Sequence, residues 1–230
     1  MGTTAEPAGP SEYERYIRTA ELLALQKPAT ALTHHDELLF QCTHQVMELW
    51  LKVIGHELAA VIDLLTAGGS LPRTAQLLNR TARLLALLGD QLTGLETMYA
   101  ADYMAVRAGL GRGSGQDSPG FRGLMRLPPL LWAAFRARLR AAAVDLDTLV
   151  ATPHDRAELY AVLHGLLDVD AGLQRFRHQH LLLAKRQIGD DSLSLKGTPM
   201  QQLEQAVRHS FFPELWAALS RLTADRFPSG

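Results

Sequence analysis

The chain has 230 residues, 47% of them apolar, with 23 basic against 24 acidic side chains and a formal charge of -1. That composition supports a substantial buried core and excludes a net electrostatic grip on nucleic acid or on an anionic membrane surface. The single cysteine, Cys42, excludes an intramolecular disulfide. The opening MGTTAEPAGPSEYERY has neither a basic start nor an apolar core segment, and no apolar run approaches the roughly 18 residues that span a bilayer. A cytoplasmic protein without membrane contact is expected.

Residues 1–10, small, polar and proline-containing, are expected to form a mobile N-terminal segment, and residues 11–230 a single all-helical domain. A first helix is predicted over 11–26, with Ser11 as N-cap and Glu14 completing a capping box. The next runs over 35–66 and closes at Gly68-Gly69. A third is predicted over 72–109, because Leu77, Leu78, Leu84, Leu85, Leu88 and Leu92 recur near the helical period. GRGSGQDSP, 111–119, breaks the pattern and reads as a solvated connector or as a loop closing over a site. Pro128-Pro129 opens a helix to about 150, and Thr152-Pro153 starts another that reaches Gly189. Thr198 is read as an N-cap with Pro199 at the first helical position, and Phe212-Pro213 begins a last short helix. With no run of alternating β-branched residues and no internal repeat, the fold class is all-α, a helical bundle.

Two stretches carry chemistry. Phe40, His44, Met47 and Leu51 fall on one helical face, which sets an imidazole in apolar surroundings, although a lone histidine there is as a rule a satisfied core residue. Near the end of the 154–189 helix, His178 and His180 are both candidate metal ligands by chemistry, and residues two apart point to different faces.

The run HDELLFQCTHQVMELWLK is similar to the first signature of the tryptophan 2,3-dioxygenase family. Four further segments match in the family's order: Tyr13-Glu-Arg-Tyr16, LETMYAADYMAVR ending at Arg107, RFRHQHLLLAKRQIG around His180, and FFPELW. The resemblance implies an all-helical bundle enclosing a b-type haem, with dioxygen and an aromatic amino acid as substrates. A chain without a CxxCH pair would hold that haem by coordination and packing alone. The register of Arg177, His180, Arg186 and Gly189 implies His180 as the axial iron ligand, with Arg177 and Phe176 beside the cofactor. The family usually has tryptophan at the position of Phe176, and a phenyl ring has no N–H to donate near the ligand. His44 matches the distal histidine that accepts the indole N–H, a positioning role, and Phe40 the aromatic wall. Arg107 matches the residue that grips the substrate carboxylate, with Tyr103 one turn before it. Tyr13 and Tyr16 match a pair that reaches into a neighbouring subunit's pocket, so a homo-oligomer, tetramer or dimer, is implied.

The departures bear on the reaction. Where the family carries a GTGGSSG segment, this chain reads DDSLSLKGTPMQQL, and Thr198 is left either as a contact for the substrate ammonium or as a helix cap. The chain is also short between Pro129 and His180. The leading expectation is dioxygenation of L-tryptophan, or a close analogue, to N-formylkynurenine. The alternatives are a monooxygenase of the same superfamily acting on a substituted tryptophan or on tyrosine, and a non-catalytic helical oligomer. A non-haem metal protein using His34, His35, Asp36 and Glu37 belongs with the last alternative and is disfavoured, because four consecutive helical residues cannot all face one metal; it revives if the chain binds no haem.

Overall fold

The computed structural model describes residues 9–227 apart from 112, 114, 196 and 198. Most of the segment expected to be mobile, and Thr198, therefore lie outside the described residues. Among those described, the chain forms eleven α-helices and no strand beyond one isolated bridge between Leu193 and Pro199. Among the described residues, no helix is long and apolar enough to cross a membrane.

Three long helices, α3 (Glu37–Thr66), α4 (Leu71–Leu95) and α9 (Ala157–Ile188), make the frame. The α3–α4 hairpin is closed as its glycines predict. Gly68 adopts φ 70°, and Gly69 and Gly68 donate back to the carbonyls of Leu64 and Leu65 at 2.7 and 3.4 Å, the Schellman pattern. Ser70 then caps α4 through the Arg73 N–H at 3.3 Å. Helix α9 runs parallel to α4, and their separation is set by glycine. A Cβ on Gly165 would sit 2.8 Å from the Leu78 Cβ, and one on Gly172 3.2 Å from the Leu85 Cβ. Ile54, Leu58 and Val61 of α3 close the core against Leu78, Leu85, Leu88 and Leu92 of α4 and Leu163, Leu166 and Leu173 of α9.

The remaining elements correct several boundaries. The predicted first helix has its capping box at Ser11 and Glu14, but it breaks at Arg18 (φ 56°) into α1 (Glu12–Ile17) and α2 (Thr19–Leu23). Neither half buries a residue, and without packing a marginal helix is free to bend. The predicted third helix ends at Leu95 and resumes as α5 (Ala100–Gly109). The carbonyls of Leu95 and Met98, freed at the break, accept from the Gln187 amide at 3.1 and 3.2 Å. The 111–119 segment leads into an additional short helix, α6 (Pro119–Leu124), capped by Ser118. The predicted 128–150 helix is split into α7 (Leu127–Ala141) and α8 (Leu146–Ala151), with Ala143 at φ 50° and Asp145 capping the second piece. After α10 (Met200–Val207), α11 (Pro213–Arg226) is 14 residues long rather than short.

Candidate functional site

Helix α3 presents Phe40, His44 and Glu48 on successive turns. The His44 Nδ1 lies 2.7 Å from the Phe40 carbonyl oxygen. A carbonyl can only accept, so Nδ1 carries the proton and the Nε2 lone pair is free to accept from another molecule. Burial pushes the His44 pKa down, opposed by the Phe40 carbonyl and the Glu48 carboxylate. The Phe40 ring lies against the imidazole, with centroids 4.1 Å apart and planes 34° apart, and its other neighbour is the Tyr103 ring at 6.3 Å.

Tyr103 and Arg107 occupy successive turns of α5. Burial raises the Tyr103 pKa against the opposing effect of Arg107. The Arg107 guanidinium is half-buried and donates through Nη2 to the Leu193 carbonyl at 2.8 Å. Helix α5 is tethered at its start by Asp102, whose carboxylate lies 3.5 Å from the His34 Nε2, just ahead of α3.

From the third side comes α9. The structure separates the two histidines that the chemistry left open: His178 is exposed, and His180 is half-buried. The His180 pKa is pushed down first by burial and then by the charge of His44, so the imidazoles of α3 and α9 lie within electrostatic reach. Phe176 stacks on His180 with centroids 6.3 Å apart and planes 21° apart. Arg177 is buried and turned to the C-terminal segment. It donates to the His209 carbonyl at 2.9 Å and to the Met125 Sδ at 3.3 Å, and lies over the Phe211 ring at 5.1 Å. Tyr13 and Tyr16 are 70% and 88% exposed, away from this cluster.

The family model of tryptophan 2,3-dioxygenase matches residues 2–127. A tryptophan 2,3-dioxygenase of Caulobacter vibrioides is 32% identical, with 91% of this chain and 98% of the relative covered. The chain belongs to the tryptophan 2,3-dioxygenase family. Proteins of the same name from a Nocardioides species and from Herpetosiphon aurantiacus are each 31% identical, over 91% and 89% of this chain and 94% and 96% of their own length. The Caulobacter alignment spans 260 positions but takes up 91% of these 230 residues, about 209, so about 51 positions of that family member have no counterpart here.

Sequence reasoning missed three groups that hold these helices in place. Glu48 accepts from the Ser118 hydroxyl and from the Gly120 N–H at 3.0 Å, and its position one turn after His44 was the available signal. The His34–Asp102 contact spans two elements and has no local signal. Fully buried Asp170 accepts from the Phe211 and Phe212 N–H groups and the Trp216 indole, at 3.0, 3.1 and 2.8 Å, which explains physically why FFPELW stands where it does.

Proposed function

We propose that this chain is a haem-dependent oxygenase that opens the indole ring of L-tryptophan, or a close indole amino acid, to N-formylkynurenine. The observation that carries the reading is the pair of imidazoles from α3 and α9, His44 against Phe40 and His180 against Phe176, each biased by burial toward its neutral form, with the charge of His44 lowering the His180 pKa further. The donor set suits haem. His180 makes no side-chain hydrogen bond among the described residues and is stacked on a buried phenyl ring. No three His, Cys, Asp or Glu side chains converge as a cage for a bare ion among those residues, whereas one imidazole suffices for a metal that brings a macrocycle.

Haem b on His180, flanked by Phe176, would supply the binding and activation of dioxygen. The rest falls to the chain. His44, its proton fixed on Nδ1, accepts the indole N–H at Nε2 and holds the ring in place. Phe40 and Tyr103 form the aromatic wall, and Arg107, already oriented by Leu193, takes the carboxylate with the rest of its guanidinium fork. Arg177, beside the cofactor in the family's register, also braces the ligand helix through Met125 and Phe211. Exposed Tyr13 and Tyr16 complete the pocket of a neighbouring subunit in a homo-oligomer, dimer or tetramer. In the reaction the C2–C3 bond breaks and each carbon takes one oxygen atom, so no external reductant is consumed.

The missing positions and the replaced glycine-rich run favour a more open pocket, and with it a second reading in which one oxygen atom enters a substituted tryptophan or tyrosine. Haem titration of wild-type and His180→Ala chains tests the cofactor assignment. A Soret band in the first and none in the second is expected, and identical spectra would remove His180 as the ligand.

A further inference from the structure

Helix α6 has only six residues and would not hold its shape alone. Both of its ends are fastened, and to different walls of the site. At its start the Ser118 hydroxyl accepts the Phe121 N–H at 3.0 Å and donates to the Glu48 carboxylate of α3, and the other oxygen of that carboxylate takes the Gly120 N–H at 3.0 Å. The fit is close: a Cβ on Gly120 would lie 2.7 Å from Glu48 Oε2 and 2.8 Å from the Leu51 Cβ. Further along, the Phe121 ring sits 6.2 Å from Phe176, the residue stacked on His180. Just past its end, Met125 accepts from Arg177 of α9 at 3.3 Å.

We infer that α6 is a strut between the distal and the ligand helices, and that Glu48 is a positioning residue whose grip on Ser118 and Gly120 fixes Phe176 and His180 relative to His44. This rests on the reading of His44 and His180 as two faces of one cofactor site. Glu48 touches neither substrate nor cofactor; it acts through the path Ser118, Phe121, Phe176.

The test uses the full chain with and without haem. In the cofactor-free protein, Glu48→Ala and Ser118→Ala are each expected to speed amide exchange in α6 by about tenfold or more, and to extend the loosening to the turn of α9 around Phe176. In the haem-loaded protein the same variants shift the Soret maximum and raise the tryptophan KM more than they lower kcat. Glu48→Gln restores both readouts, because its oxygen can face Gly120 while its amide donates to Ser118. Exchange confined to α6, with an unchanged Phe176 turn and an unchanged Soret band, overturns the strut. A Gln variant as damaged as Ala also overturns it, by making the carboxylate charge beside His44 the operative feature. A wild-type chain that takes up no haem would end the cofactor reading, and the exchange experiment would still decide the strut.

Discussion

Asp170→Asn is the sharpest test of how the ligand helix is held. The carboxylate is fully buried, and four N–H groups converge on it: Gln174 Nε2 at 3.1 Å and Phe211 N at 3.0 Å on one oxygen, Phe212 N at 3.1 Å and Trp216 Nε1 at 2.8 Å on the other. An asparagine of the same shape keeps one oxygen. Whichever way its amide turns, two donors face an NH2 group and lose a charge-assisted bond. At about 1.5–3 kcal/mol for each such bond, the loss is about 3–6 kcal/mol, a large part of the roughly 5–15 kcal/mol that holds a typical domain together. Urea unfolding followed by far-UV circular dichroism should show that loss, and thermal melting a midpoint lower by about 10 °C or more. A destabilisation under about 1 kcal/mol would refute the claim that Asp170 anchors the C-terminal segment to α9.

Arg107→Lys should weaken tryptophan binding by about ten- to a hundredfold, the cost of losing one arm of a forked carboxylate contact, while haem affinity stays put; equal losses in both titrations would make Arg107 a folding residue. Tryptophan affinity should be level above about pH 6.5 and fall on the acid side, because burial holds the folded His44 below its ordinary value and only its neutral Nε2 can accept the indole N–H. A break at higher pH would contradict that assignment. Glu37, beside Lys27 and the Thr33 N–H and hydroxyl, has its carboxyl lowered to about 2, so its stabilisation is complete above the ordinary 4.5 and lost as pH falls from there to about 2. The gap in urea midpoint between wild type and Glu37→Gln should therefore close across that window, and a gap independent of pH would count against the ion pair.

What was legible in the sequence was whatever local chemistry decides. The capping box at Ser11 and the Gly68-Gly69 closure both follow from spacing. The tautomer of His44 does not: it is set by the Phe40 carbonyl, which only the folded side-chain geometry brings to Nδ1. The errors sit where distant groups intervene. Nothing near Leu95 announces that Gln187 will capture the carbonyls of a broken helix, and the apolar period runs on across the gap through Met98, Tyr103 and Val106. Ala143 turns inside an alanine run whose only sign of a stop is the Asp145 cap. The partners of Glu48, Ser118 and Gly120, lie about 70 residues away in the chain and are brought to it only by the fold.

The most direct test of the central claim is the mass of the product formed when the reduced, haem-loaded chain turns over L-tryptophan under isotopically labelled dioxygen. N-formylkynurenine carrying two labelled atoms is the result predicted by a pocket that holds the indole between His44 and the haem on His180. A product with one labelled atom, or no turnover with haem firmly bound, would contradict it.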